Sequence, residues 1–194
     1  DLKQRLSKDT RVSIAAASFS IYAFEALKEE LEKIEELRFI FTSPTFIKEK
    51  TKKEKREFFI PKLNRERNLY GTDFEIRLRN QLSQKAIAKE CADWIRRKVQ
   101  FRSNASQDPM GGFLHTHNET QHVYLPFNEF TTSQLGCERG ADIYNIVNVL
   151  PSPTANAYLD IFNEQWNNDE KFEDVTKRVL EYIDTVYQEN APEY

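Results

Sequence analysis

All three histidines of the chain, His115, His117 and His122, fall within eight residues of one another. A strand points alternate side chains to one face, so His115 and His117 converge if Phe113-Leu114-His115-Thr116-His117 is a strand. Three chemistries fit that spacing. The imidazoles could ligate zinc, with His122 or Glu119 as a further ligand, although no recognised ligand pattern surrounds them. A neutral imidazole could attack phosphorus while a second protonates the leaving oxygen, provided cationic or amide groups hold the phosphate charge. The third reading is structural: two polar side chains satisfied within a half-buried strand.

The elements that must position these residues read as an α/β pattern. Arg11 to Phe19 is an apolar run of strand type with small residues near its end. Ser20 is placed to cap the next helix, in which Phe24, Leu27, Leu31 and Ile34 repeat at helical spacing. Leu37 to Thr42 is a second strand, closed by Ser43-Pro44, and the β-α-β spacing implies a parallel pair. Thr72 and Glu75 form a capping box ahead of a long helix over 73–99. Val99 to Arg102 is a short strand, and 103–112 is a loop rich in Asn, Asp, Pro and Gly. Residues 113–117 and 121–125 are two more strands. Phe130 to Gly136 is a helical turn stopped by glycine, and Ile143 to Leu150 is a last strand. Two acidic helices, near 154–167 and 171–189, finish the chain. The expected fold is therefore a mixed β-sheet flanked by helices, with acidic helices at the C-terminus.

Composition bounds the function. Hydrophobic residues make up 39% and charged residues 30% of 194 positions, a globular balance with enough bulk for one core. Cys91 and Cys137 are isolated, so no zinc ribbon or Cys-x-x-Cys redox pair exists, and reduced thiols in a cytoplasmic protein are expected. No run approaches the ~20 apolar residues of a membrane span, and no secretory signal opens the chain. The start at Asp1 rather than Met points to a piece of a longer protein. No P-loop is present, so this stretch does not hydrolyse ATP.

Net charge is only −3, but it is polarised. Residues 48–102 hold 17 Lys and Arg against eight Asp and Glu, and residues 160–194 hold ten acidic against three basic residues. Such a basic stretch can follow a phosphate backbone, which makes Lys52, Lys53, Lys55, Arg56, Arg96 and Arg97 candidate nucleic-acid contacts. The alternative is a solvated helix face lying against the acidic tail.

The chain resembles the phospholipase D-like domain that precedes the motor of bacterial superfamily 2 helicases of the Swi/Snf type. Val12-Ser13-Ile14-Ala15-Ala16-Ala17-Ser18-Phe19-Ser20 is similar to that family's opening strand and Gly-Tyr-Phe-Ser turn. Leu37 to Pro44 is similar to its second strand, Phe113 to His117 to its Phe-Leu-His-x-Lys strand, and Phe130 to Gly136 to its Asn-Phe-Thr-x-x-Gly-Leu segment. Asp160 to Pro192 is similar to the acidic region leading into the motor. The resemblance implies a phospholipase D-like domain over 1–153, with a basic helical insertion at 48–99, and an acidic helical extension over 154–194.

It also implies a phosphate site of His115, His117, Asn128 and Thr131, with His115 as the nucleophile if the site is active. The family motif is His-x-Lys-x4-Asp followed by Gly-Ser-x-Asn. Here His117 stands at the Lys position and His122 at the Asp position, Pro126-Phe127 fall on Gly-Ser, and Asn128 or Glu129 falls on the Asn. An imidazole carries far less charge at pH 7 than an ammonium. The resemblance with these departures implies a non-catalytic accessory domain of a DNA helicase, engaging DNA or aiding assembly. One motif copy would need a homodimer to bring two histidines together. The competing expectations are an active, metal-independent phosphodiesterase built from two His115 strands, and an interaction module regulating the motor in cis. No metal or cofactor is expected in this stretch, ATP and Mg²⁺ belonging to the motor.

Overall fold

The computed structural model describes residues 1–44, 47–50, 56–59, 81–132, 134–136 and 147–189. Seven strands form one mixed sheet: β1 (Arg11–Ala16), β2 (Glu36–Phe41), β5 (Val99–Asn104), β6 (Phe113–His117), β7 (Gln121–Leu125), β8 (Asn148–Pro151) and β9 (Phe172–Asp174), in the order β8-β7-β6-β1-β2-β5-β9. β1 pairs in parallel with β2, and β2 with β5. The remaining neighbours are antiparallel. The expected α/β architecture, a mixed sheet flanked by helices, is what the chain forms.

Helices cover both faces, which is why β1 and β2 read as nearly unbroken apolar runs. On one face α2 (Ile21–Ala26), α4 (Gln81–Lys98) and α6 (Thr176–Glu189) pack over Ile14, Phe39, Phe101, Leu114 and Tyr124. Phe19, Phe39, Phe101 and Phe130 form an aromatic cluster there, with Phe19 and Phe130 stacked at 5.3 Å. Trp94 of α4 is fully buried and donates its indole N–H to the Leu31 carbonyl at 3.0 Å. On the other face α5 (Thr154–Trp166) lies over Ala15, Ile40, Phe113 and Val123, inserting Ala155 and Phe162.

Several boundaries differ from the sequence reading. The helix expected through Phe24 to Ile34 is broken at Leu27 into α2 and α3 (Lys28–Leu31), because Leu27 leaves helical geometry at φ −112°, ψ 15°. The first strand ends at Ala16, and Phe19 makes an isolated bridge to Phe130. A short α1 (Leu2–Arg5) precedes it. Within the basic helical insertion expected over 48–99, the chain instead has the antiparallel pair β3 (Ile47–Lys50) and β4 (Arg56–Phe59), whose Ile and Phe residues favour strands. The last helix starts at Thr176 rather than 171. Phe172 is buried on the sheet edge, and the Asp174 carboxylate accepts from the Thr176 amide at 2.9 Å, starting the helix there. Residues 154–189 are thus part of the sheet and its two helical layers. The capping box at Thr72 and Glu75, Cys137, and residues 143–146 of the expected strand lie outside the described residues. Among the described residues no helix is long and apolar enough to cross a membrane.

Candidate phosphate site and nucleic-acid surface

Strand alternation sets the site. Phe113, His115 and His117 of β6 point to the α5 face, and Phe113 meets Tyr158 at 5.1 Å and Phe162 at 6.2 Å. His115 is 0% exposed. One ring nitrogen, Nε2, lies 3.0 Å from Gln121 Oε1. The other, Nδ1, is buried without a hydrogen-bond partner among the described residues. Burial lowers the His115 pKa to about 4; the neighbours His117 and Arg38 act in the same direction, while Gln121 and the Ala155 backbone oppose them. The ring is therefore neutral at pH 7, and α5 separates it from solvent. His117 lies 6.2 Å from it, edge-on and partly exposed. His122 belongs to the opposite face of β7, so the three histidines do not converge. No group of three His, Cys, Asp or Glu able to hold a metal ion occurs among the described residues.

Asn128 and Thr131 are elsewhere. The Asn128 carbonyl accepts from the Ala17 amide at 2.7 Å, and Phe130 exchanges hydrogen bonds with Ser18 and Ser20. Thr131 is buried, and its hydroxyl accepts from the Gln134 amide at 3.2 Å, within a turn that Gly136 closes at φ 73°. On β1, His115 is level with Ser13 and His117 with Arg11. Asn128 is bonded to Ala17, four residues along the chain from Ser13 and just past the end of β1. The part of the sheet nearest Asn128 is Gly112, whose carbonyl accepts from the Phe127 amide at 3.0 Å. His115 and His117 are brought together at 6.2 Å, whereas Asn128 bonds to Ala17 and Thr131 to Gln134, each apart from the histidine pair.

The surroundings of His115 include Arg38 and Ser13, which the motif did not single out. The Arg38 guanidinium donates to the Ser13 hydroxyl at 3.2 Å and lies over the rings of Phe162 and Trp166, at 4.9 and 5.6 Å. Burial lowers its pKa, Arg11 adds to this and Glu36 opposes it. The available signal was a single arginine inside the apolar strand Leu37 to Phe41.

Among the candidate nucleic-acid contacts, Arg96 pairs with Asp93 at 3.3 Å and Asp184 at 3.0 Å, and Arg97 with Glu32 at 3.0 Å. The Asp184 contact is the helix face against an acidic tail that the charge pattern offered as an alternative. Exposed pairs of this kind contribute only about 0–1 kcal/mol, so a phosphate can exchange for the carboxylate. Arg56 opens β4, and Lys52, Lys53 and Lys55 lie outside the described residues. No protein-family model, curated protein or solved structure matches the chain.

Proposed function

We propose that this chain is a degenerate, non-catalytic phospholipase D-like domain, accessory to a DNA helicase motor carried in cis, and that it engages DNA or supports assembly. The observation that carries the non-catalytic part is the placement of His115. A nucleophile must reach its phosphorus at about 3 Å, whereas this imidazole is enclosed beneath α5 and bonded to Gln121. An intact site would also set the histidine beside an amide that holds the phosphate, and Asn128 bonds to Ala17, four residues past the Ser13 that lies level with His115. DNA engagement draws its support from the excess of Lys and Arg in 48–102 and from the resemblance.

Hydrolysis of a phosphodiester substrate in EDTA tests the reading, because histidine chemistry of this kind needs no metal. The expected result is no turnover by the wild type. Turnover that is lost in His115→Asn would overturn it. A mobility-shift series across salt concentrations tests DNA engagement, and binding that is absent or indifferent to salt would remove that part.

A further inference from the structure

At the amino ends of β2 and β5 a groove of about 640 Å³ is lined by Arg38, Arg96, Arg97, Lys98 and Gln100, with Glu35, Glu36 and Asp174 on its walls. Its volume lies in the range of ligand-binding clefts. The charges on its lining are not equivalent. Glu35 and Glu36 both lie within salt-bridge distance of Arg11, at 3.1 and 3.9 Å. Asp174 accepts the Thr176 amide. Arg96 and Arg97 are paired with carboxylates outside the groove. Arg38 and Lys98 differ from these: among the described residues neither has a carboxylate within 4 Å.

Both cations are held in place without an anion. Lys98 is half-buried and donates to the backbone carbonyls of Glu32 and Ile34, which uses two of its three donors. Arg38 is half-buried, with its plane fixed over two aromatic rings and one nitrogen on Ser13. A guanidinium held in this way has lost part of its hydration and keeps a fork of donors suited to two oxygens of one phosphate. Fixed cations lacking a counter-ion, in a groove rimmed by two exchangeable arginines, are complementary to a chain of phosphates spaced along a backbone.

We infer that this groove receives the phosphodiester backbone of DNA, with Arg38 and Lys98 as its inner contacts and Arg96 and Arg97 at its rim. The inference rests on the DNA-engaging reading above and gives it a location at the amino ends of β2 and β5, with Arg38 shared between the groove and the surroundings of His115. Glu36 is the nearest opposing charge on the α5 face, and its removal strengthens binding.

The test is fluorescence anisotropy of a labelled single-stranded oligodeoxynucleotide across a salt series, with thermal melts to confirm each variant's fold. The combined Arg38→Gln and Lys98→Gln variant is expected to bind about tenfold more weakly. The slope of log affinity against log salt should fall by about one per lost contact. Glu36→Gln keeps the size of the side chain, leaves Arg11 its shorter pair with Glu35, and is expected to tighten binding about threefold, which supplies a readout even if the double variant unfolds. Binding by the wild type with neither variant shifted would overturn the groove and leave DNA engagement standing. No binding by the wild type would overturn both.

Discussion

The His115 imidazole and the Gln121 carboxamide meet at 3.0 Å although they are diagonal neighbours, His115 being level with Val123 and Gln121 with His117 across the β6–β7 hairpin. The contact holds the ring in the plane between β6 and α5 and supplies one polar partner to a fully buried side chain.

That arrangement fixes a pH dependence. In the folded chain His115 titrates at about 4, below the ~6.5 of an unfolded histidine. The unfolded chain therefore takes up the proton first as pH falls. The stability contributed by the neutral ring is complete above pH ~6.5, is lost progressively below it and levels off under pH ~4. A shift of that size corresponds to roughly 3 kcal/mol. Urea unfolding at pH 7.0 and 4.5 is expected to show the loss in the wild type, and a His115→Gln variant should lack this part of it. Equal pH sensitivity in the two proteins would contradict the assignment.

Ser20 caps α2 by accepting the Tyr22 amide at 3.1 Å, and its own amide donates to the Phe130 carbonyl at 2.9 Å. Ser20→Ala keeps the second bond and loses the first. The expected cost is about 1 kcal/mol, read as a lower urea midpoint with an unchanged slope.

Ser20 is also a case where the sequence was sufficient, since a cap needs only its own side chain and the amide two residues on. The β1–β2 pair and the separate strands β6 and β7 were legible for the same reason: their patterns are local. The enclosure of His115 was not. It depends on α5, about 40 residues further along, laying Ala155 and Phe162 on the sheet while Asp160 and Glu164 face water. The composition of that helix showed its acidity but not its docking site. The same limit applies to Arg96, whose partner Asp184 is 88 residues away. It applies equally to the three-residue β9, too short for any periodicity to reveal.

Gly112 separates the loop from β6 where the chain passes close to Phe127. A Cβ at that position would run into the Phe127 carbonyl, which belongs to backbone and cannot swing aside. Gly112→Ala is expected to destabilise the fold by about 1–3 kcal/mol, the range for forcing an extra carbon into a packed region. Gly111, one position earlier, has open space around its Cβ position, so Gly111→Ala serves as the control and should melt within a degree or two of the wild type. Equal melting temperatures for the two variants would show that the close approach does not constrain the chain.

Arg102 joins the C-terminal end of α5 to the sheet. Its guanidinium donates to the Trp166 carbonyl at 2.7 Å, to the Phe172 carbonyl at 2.6 Å and to Asp169 at 2.8 Å, and the side chain is only 15% exposed. Two of these three acceptors are backbone, one at the end of α5 and one in β9, so a single side chain satisfies groups from two elements. Lysine keeps the charge, but its one ammonium cannot span the same three directions. Arg102→Lys is expected to cost about 1–2 kcal/mol and Arg102→Ala about 3 kcal/mol, since alanine leaves both carbonyls without their donor. Hydrogen exchange distinguishes this role from a general loss of stability. Amides of α5 and β9 should lose protection in Arg102→Lys before those of β1 and β2 do. Uniform loss across the sheet would mean that Arg102 does not hold α5 in place.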